Sequence, residues 1–366
     1  MNSCREIIVS PQKGPSYPVV VGVGLWARAV ATIPPGRVCL IADRTVFDLY
    51  GPSLVGALER TGRAPVKVTF PAGERSKTRR TKVGIEDRML AEGLGRDTVV
   101  LALGGGVTSD LAGFVAATYM RGVPYVNMPT SLLAMVDATV GGKTAVDTAA
   151  GKNLVGAFHQ PSMVFVDLAS LATLPREETW CGLAEMVKHA VVADAGYLSF
   201  LKQKAAALWR GEPDICCEAV CRSIEIKAAV VSQDTTEQGV RRVLNFGHTV
   251  AHALEQQAGW RLSHGKAVAA GMAVEAEVAF LLGLLAADDR DVLLGVLREV
   301  GIWHVPTFPD PDRLVHVMSW DKKAFGGKIR MALPEAVGRM CSGNGEWSVE
   351  VAPDLVLTAL RRVWGV

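Results

Sequence analysis

The sequence has few aromatic residues and almost no net charge. Phe, Trp and Tyr together make up 6% of the 366 residues, so stacking platforms for single-stranded nucleic acid are not expected. The formal net charge is +2 with both signs interspersed, which argues against a basic stripe for nucleic acid. We therefore expect no nucleic-acid partner, and any site for an anion must be built locally.

Nor does the sequence have a cysteine framework or a secretory leader. Its seven cysteines are an odd number without regular spacing, which predicts free thiols and a cytoplasmic protein. Cys217 and Cys221 stand four residues apart, as on one face of a helix. Because no second pair accompanies them, buried packing is favoured over a metal site.

A long uninterrupted apolar run is also missing. The longest apolar stretch, residues 267–287, contains Glu275 and Glu277. Such a stretch predicts a buried helix rather than a membrane span, so no membrane partner is expected.

Short β-type runs alternate with helix-permissive segments in the first half of the chain. This alternation predicts a parallel α/β sheet. After Leu174 the sequence changes to long Ala-, Leu- and Val-rich segments, which predict helices. We therefore expect two domains, an α/β domain at 1–175 and a mostly helical domain at 176–366. The predicted strands are 18–21, 38–43, 66–70, 98–103, 123–128 and 163–167.

A glycine triplet, Gly104–Gly106, lies between a strand-like run and a helix-like run. Backbone N–H groups on such a turn can approach a pyrophosphate, although glycine often serves only to turn the chain. Two Gly-Lys units follow, in which Lys143 and Lys152 can each reach an anionic oxygen. Their spacing does not fit a nucleotide-triphosphate P-loop, but together they indicate a phosphate site.

Histidines and one acid suggest a metal centre. His248 and His252 stand four apart, as on one helix face, and His264 follows shortly after. Upstream, Glu185 lies three residues before Lys188 in an apolar context, where a buried carboxylate needs a partner. Two histidines and one carboxylate would suit a catalytic zinc with an open position. From these residues alone, ordinary packed or exposed histidines remain the alternative.

Six blocks of this sequence, taken together and in this order, resemble the 3-dehydroquinate synthase family of the sugar phosphate cyclase superfamily. The resemblance implies a Rossmann-like NAD-binding α/β domain followed by a helical metal-binding domain. It also implies a homodimeric carbon-oxygen lyase that uses bound NAD and Zn²⁺ or Co²⁺. The blocks are 71–77, 104–158, 182–188, 241–252, 264–272 and 321–330.

The reaction implied by this resemblance converts a sugar-acid phosphate to a carbocycle. The substrate, 3-deoxy-arabino-heptulosonate 7-phosphate, is oxidised transiently at C5 by NAD, and phosphate is then eliminated. C5 is reduced again, and an intramolecular aldol addition closes the ring of 3-dehydroquinate. This reaction belongs to the shikimate pathway of aromatic amino acid biosynthesis.

The resemblance also assigns roles to residues of this chain. Glu185, His248 and His264 would be the metal ligands. Lys227, Arg241 and Asn245 would bind the substrate carboxylate, although a solvated helix face is the alternative for Lys227. Arg121 would reach across a dimer interface. The remaining substrate residues would be Asp137, Lys143, Lys152, Asn153, Lys188, His252, Lys322 and Lys323. The NAD residues would be Asp43, Glu74, Lys77, Gly105, Gly106, Val107, Thr108, Ser109, Asp110, Thr130, Ser131, Lys143, Lys152 and Thr173.

The sequence departs from the usual family pattern at four residues. Thr108-Ser109 replaces Ile-Gly, and Ser131 stands where a second threonine is common. Both changes leave backbone donors and a hydroxyl in place, so at most the NAD affinity should change. Lys266 replaces the acid of His-Gly-Glu and puts a cation two residues from His264. It could weaken metal binding or adjust the phosphate pocket.

Three other functions stay open from the sequence. One is a sibling cyclase that acts on sedoheptulose 7-phosphate or on an aminated analogue of the ketoacid. Another is a metal-dependent polyol dehydrogenase, which would accumulate NADH and has no need of so many cations. The third is a non-catalytic protein that binds NAD or phosphate without turnover.

Overall fold

A computed structural model describes residues 4–259, 261–305, 310–320 and 328–365. The chain forms two compact units. The N-terminal unit consists of Met1–Leu174 and Cys216–Ser232, and the C-terminal unit of Pro175–Ile215 and Gln233–Val366. The N-terminal unit is of mixed α/β type and the C-terminal unit is mostly helical, which confirms the predicted fold class.

A seven-stranded sheet forms the centre of the N-terminal unit. Its strand order is β1-β2-β9-β6-β5-β3-β4, and every neighbouring pair is parallel except β1 with β2. Each of the six predicted runs lies in one of these strands or overlaps it, whereas β1 and the separate β7–β8 hairpin were not predicted. The strands are β1 (Arg5–Val9), β2 (Tyr17–Gly22), β3 (Arg37–Asp43), β4 (Val66–Phe70), β5 (Thr98–Gly104), β6 (Tyr125–Pro129), β7 (Lys143–Thr148), β8 (Gly151–Phe158) and β9 (Met163–Asp167).

Helices cover both faces of this sheet, which explains why its central strands are continuous apolar runs. Alternate side chains of β5 enter two different apolar clusters, with Leu101 in one and Val100 in the other. The first cluster includes Leu58, and the second includes Val115. The helices of this part are α1 (Trp26–Thr32), α2 (Arg44–Arg60), α3 (Arg79–Ala91) and α4 (Gly106–Thr118).

The C-terminal unit is built mainly from helices. Its central helix, α9, is buried along almost its whole length, as predicted from its apolar sequence. In the described part of the chain, no helix combines the length and the apolar character needed to cross a membrane. The helices are α5 (Arg176–Ala193), α6 (Ala195–Arg210), α7 (Pro213–Gln233), α8 (His248–Gln257), α9 (His264–Leu281), α10 (Ala287–Glu299), α11 (Pro311–Trp320) and α12 (Pro353–Trp364). Four short strands complete it: β10 (Ile329–Met331), β11 (Pro334–Ala336), β12 (Arg339–Met340) and β13 (Val349–Val351).

Helix α7 does not follow the simple order of the chain. Its residues Cys216–Ser232 group with the N-terminal unit, although the segments on both sides belong to the C-terminal unit. The two compact units are therefore not two continuous halves of the sequence.

Helices α8 and α9 approach each other closely at two glycines. Gly247, which precedes α8, has φ +82°, and a Cβ added to Gly271 of α9 would lie 2.0 Å from the Gly247 carbonyl oxygen. The start of α8 has no side-chain cap of its own. Instead, the buried Glu275 carboxylate of α9 accepts hydrogen bonds from the N–H groups of Gly247, at 2.7 Å, and Val250, at 3.2 Å. One helix thus caps the next, and both orphaned N–H groups are satisfied.

We predict that Gly271→Ala destabilises the protein, because the added methyl group has no space beside the Gly247 carbonyl. Overpacking of this kind lowers the free energy of unfolding by about 1–3 kcal/mol. The matched control is Gly84→Ala in α3, where an added Cβ meets nothing within 4 Å. That change should stabilise by about 0.5–1 kcal/mol, because alanine favours a helix over glycine. Calorimetry of both variants checks the prediction, and equal melting temperatures would contradict it.

Candidate functional site

Three side chains converge in the C-terminal unit as a candidate metal centre. Glu185 lies on α5, His248 is the first residue of α8, and His264 is the first residue of α9. The Nε2 atoms of His248 and His264 lie 3.6 Å and 3.3 Å from Glu185 Oε1. The candidate ligand atoms of all three residues lie within 4.8 Å of one another. The structure thus brings together the three residues that the sequence singled out.

The other ring nitrogen of each histidine is held by a hydrogen-bond acceptor. His248 Nδ1 lies 3.1 Å from the Phe246 carbonyl oxygen, and His264 Nδ1 lies 3.5 Å from Glu255 Oε1. Both contacts favour a proton on Nδ1, so that Nε2, the nitrogen that faces Glu185, can offer its lone pair to a metal. Glu255 was not predicted from the sequence. Its sequence offers only a position two helical turns after His248, and its burial on α8 appears in the structure alone.

Burial and neighbouring charges shift the pKa values of the two histidines in opposite directions. Burial, followed by the Lys188 ammonium, lowers the pKa of His248 well below its ordinary value. Burial also acts to lower the pKa of His264, but hydrogen bonds to Glu185 and Glu255 more than offset it, and this pKa is raised to about 10. Two imidazole nitrogens and a carboxylate oxygen at these positions form a donor set that fits zinc or cobalt.

Two further predicted substrate residues lie beside this cluster. Lys188, one helical turn after Glu185 on α5, forms an ion pair with the Glu185 carboxylate. The His252 ring packs edge-on against His248, with the ring centroids 5.6 Å apart. The structure therefore groups four of the predicted residues around the buried Glu185 carboxylate.

Lys266 is engaged by an acid of its own. Its Nζ lies 2.8 Å from Glu177 Oε1 of α5 and 5.6 Å from the centroid of the Trp180 ring. A hydrogen bond from Lys266 lowers the pKa of Glu177. The ion pair compensates the positive charge that replaces the usual acid, whereas the effect on metal binding stays a prediction.

The segment before α8 holds two of the predicted carboxylate-binding residues. Buried Arg241 donates from Nη1 to the Thr235 carbonyl oxygen at 2.6 Å, and Asn245 Nδ2 donates to Glu237 Oε1 at 2.6 Å.

The Asp234 carboxylate accepts from three backbone N–H groups, those of Gln238, Gly239 and Arg241, at 3.1, 2.7 and 3.1 Å. Asp234 thus fixes the turn that carries Arg241, a role that was not predicted from the sequence.

The third carboxylate-binding residue, Lys227 of α7, belongs to the N-terminal unit. Its Nζ lies 2.6 Å from Asp137 Oδ1 and 2.6 Å from the Asp137 carbonyl oxygen. Lys227 is only 6% exposed, so it does not lie on a solvated helix face. The structure brings it together with Asp137, another predicted substrate residue.

The glycine triplet ends β5 and begins α4, as predicted. Gly105 precedes the helix, whose first residues are the predicted Gly106, Val107, Thr108, Ser109 and Asp110. Thr130 donates its N–H to the Gly104 carbonyl oxygen at 3.0 Å, and a Cβ at Gly105 would lie 3.2 Å from Ser131 Oγ. These predicted NAD residues therefore form one turn with open backbone donors at a helix N-terminus, which is suited to phosphate.

Buried Lys77 connects this turn to the segment before α3. Its Nζ lies 2.5 Å from Asp110 Oδ2 and 3.9 Å from Glu74 Oε1. Burial acts to lower the pKa of Lys77, but Asp110 and Glu74 more than offset it, so the ammonium stays charged. Three predicted NAD residues thus form one ionic cluster.

The remaining predicted residues are more dispersed. Asp43 accepts from the Val46 N–H at 3.0 Å and caps α2, and Thr173 hydrogen-bonds Tyr50 of the same helix. Arg121 is exposed and has φ +69°. Three predicted residues, Lys143, Lys152 and Asn153, lie on the β7–β8 hairpin. Lys322 and Lys323 lie outside the described residues.

Comparison with known proteins finds one family over most of the chain. Residues 67–181 match the family model for the N-terminal part of 3-dehydroquinate synthase, and residues 182–324 match that for its C-terminal part. A 3-dehydroquinate synthase from Pelotomaculum thermopropionicum is 43% identical over 336 residues, which cover 90% of this chain and 91% of that relative.

Two solved structures share the fold over nearly the full length. One is 2-deoxy-scyllo-inosose synthase with carbaglucose-6-phosphate, NAD⁺ and Co²⁺, at a TM-score of 0.91 and 26% identity, covering 98% of this chain and 100% of that chain. The other is 2-epi-5-epi-valiolone synthase from Streptomyces hygroscopicus subsp. jinggangensis with NAD⁺ and Zn²⁺. Its TM-score is 0.87 at 31% identity, covering 97% of this chain and 98% of that chain.

We predict that Asp234→Ala destabilises the protein in a pH-dependent way. Burial opposes ionisation, but the three backbone N–H donors outweigh it and lower the pKa of Asp234. The stabilisation is therefore complete above the unfolded pKa of about 3.9 and is lost as the pH falls through the lower folded value. At pH 7 the loss should be about 2 kcal/mol.

Thermal melts of wild type and Asp234→Ala between pH 3 and pH 7 check this, with the exposed Asp87→Ala as the control for loss of one charge. The difference between wild type and Asp234→Ala should shrink below about pH 4. A difference that stays constant over this range would contradict the prediction.

Proposed function

This chain belongs to the 3-dehydroquinate synthase family, and we propose that its reaction takes place at the cluster of Glu185, His248 and His264. Its activity is that of a 3-dehydroquinate synthase, a carbon-oxygen lyase of the shikimate pathway. The observation that carries the proposal is the convergence of both Nε2 atoms on one buried carboxylate while both Nδ1 atoms are held elsewhere. The family match decides against the polyol dehydrogenase and the non-catalytic alternatives.

The proposed metal is Zn²⁺ or Co²⁺, held by Glu185 Oε1 and by the Nε2 atoms of His248 and His264. The two related cyclase structures contain Co²⁺ and Zn²⁺, which supports this assignment. When bound, a divalent ion acts as a Lewis acid on the substrate hydroxyls that undergo oxidation. Glu255 and the Phe246 carbonyl would hold the two imidazole rings in the required orientation.

The proposed NAD site lies at the start of α4. Both related cyclase structures contain NAD⁺, and the turn at Gly105 offers backbone donors and a helix N-terminus to a pyrophosphate. Carboxylates such as Glu74 and Asp110 are suited to ribose hydroxyls. When bound, NAD would accept a hydride from the substrate and later return it, so no NADH accumulates.

The proposed substrate is 3-deoxy-arabino-heptulosonate 7-phosphate, which has a carboxylate at one end and a phosphate at the other. Arg241 and Asn245 would bind the carboxylate, because a guanidinium pairs with a carboxylate in two parallel hydrogen bonds. Lys143, Lys152 and Asn153 would bind the phosphate end. Sibling cyclases whose substrates lack a carboxylate have no need of the Arg241 side chain.

We further propose that the protein works as a homodimer in the cytoplasm. All seven cysteines are free thiols, which suits a reducing compartment. The exposed Arg121 is available to reach a second copy of the chain.

The main test is phosphate release from 3-deoxy-arabino-heptulosonate 7-phosphate by the purified protein with NAD and Zn²⁺. We expect release without net NADH, loss of release after chelation, and recovery when Zn²⁺ is added back. Sedoheptulose 7-phosphate, which has no carboxylate, serves as the control substrate. Release from the control substrate alone would contradict the proposed substrate, and full activity after complete metal removal would contradict the metal.

A second prediction concerns the substrate carboxylate. Arg241→Ala should raise the KM for the ketoacid phosphate by roughly 10- to 100-fold, because a charge-assisted contact is lost, and should change NAD affinity little. The matched control is Arg242→Ala, because Arg242 is the adjacent arginine and bonds the Glu346 carbonyl oxygen. An equal loss of substrate and NAD binding in Arg241→Ala would refute the assignment.

A further inference from the structure

Asp147 of β7 bridges to β8 next to the turn of the β7–β8 hairpin. Its Oδ1 accepts from the Asn153 N–H at 2.9 Å, across the turn. Its own N–H donates to the Lys77 carbonyl oxygen at 2.7 Å. The side chain therefore ties one arm of the hairpin to the other, and its backbone anchors the hairpin to the segment before α3.

The backbone beyond this contact is in a costly conformation. Asn153 has φ +55°, in the left-handed region that non-glycine residues adopt at a cost. Inside the tip, Thr148 Oγ1 accepts from the Ala150 N–H at 3.2 Å and donates to the Gly151 carbonyl oxygen at 3.2 Å. The bond to Asp147 differs from these two, because here a carboxylate holds the strained residue itself.

We propose that Asp147 is a positioning residue, whose carboxylate fixes the backbone of Lys152 and Asn153 so that both side chains meet the substrate. This inference rests on the proposed function, in which these two residues bind the phosphate end of the substrate. Asp147 itself touches neither substrate nor cofactor in this scheme. It acts by keeping Asn153 in the left-handed conformation.

The environment of Asp147 opposes its charge. Burial, together with the negative charge of Glu74, raises the pKa of Asp147 to about 6, although the Asn153 N–H and the Lys77 ammonium act in the opposite direction. The compensation by Lys77 is shared, because Asp110 of α4 binds the same ammonium at 2.5 Å. A carboxyl whose folded pKa is raised stabilises the fold at low pH and ceases to do so as the pH rises through about 6.

The Asp147 carboxylate is therefore mostly ionised at neutral pH although its surroundings favour the neutral form. Charged groups kept against their environment are characteristic of functional positions. The geometry of the hairpin supplies that function.

The experiment compares wild type with Asp147→Asn and Asp147→Ala in the full chain with NAD and Zn²⁺, at pH 7.5. The Asn variant keeps an acceptor oxygen and loses the charge, and the Ala variant loses both. The matched control is Asp87→Asn, which removes one charge from an exposed position on α3. The readouts are the melting temperature, kcat and KM for the ketoacid phosphate, and amide exchange of peptides that span residues 147–155.

We expect the KM to rise several-fold in Asp147→Asn and roughly 10-fold or more in Asp147→Ala, with kcat changed about twofold at most. The melting temperature of Asp147→Asn should equal or exceed that of wild type, and exchange should speed up in 148–153. The Asp87→Asn control should match wild type in all readouts.

An unchanged KM in both variants, with an active wild type, would overturn the inference. A melting temperature that falls by several degrees in Asp147→Asn would also overturn it, because Asp147 would then serve the fold. If wild type itself releases no phosphate, the proposed function fails, and amide exchange still decides about Asp147: unchanged exchange in 148–153 rejects its role in the hairpin.

Discussion

The burial of the Glu185 carboxylate is the constraint on which the C-terminal unit depends. Its side chain is 0% exposed, and a buried charge without compensation costs several kcal/mol. Lys188 compensates it from the same helix, whereas the two imidazole rings come from the first residues of α8 and α9. These helices can supply both rings only because Gly247 and Gly271 let their backbones meet. Charge compensation and glycine packing are therefore two parts of one requirement.

Much of the architecture could be predicted from local sequence patterns. The β-branched runs of the central strands and the Gly104–Gly106 turn are local signals, and they predicted the sheet and the start of α4. His248 and His264 could be proposed as ligands because histidines cluster in this part of the sequence and because the surrounding blocks resemble the family. The edge strand β1 and the β7–β8 hairpin were missed, since an exposed edge strand needs no apolar run and the hairpin contains the Gly-Lys units that were interpreted as loops.

Four acids could not be recognised from the sequence, for a common reason. Asp147, Asp234 and Glu275 bind backbone N–H groups, and Glu255 contacts a histidine nitrogen, in each case through the fold rather than through a motif. Nothing in the residue type distinguishes such an acid from one that lies on the surface. The chain thus uses carboxylates both for chemistry and for holding backbone turns in place, and only the contacts separate the two uses.

The position of helix α7 in the sequence affects when each unit can be completed during synthesis. Because Cys216–Ser232 belong to the N-terminal unit, this unit is incomplete when Leu174 leaves the ribosome. The nascent chain must first release Pro175–Ile215, the opening part of the other unit, before Lys227 can reach Asp137. Domains generally fold as units during synthesis, in order from the N-terminus. Here the segments of the two units alternate along the chain. A truncated translation product that ends between Leu174 and Cys216 therefore contains neither unit whole.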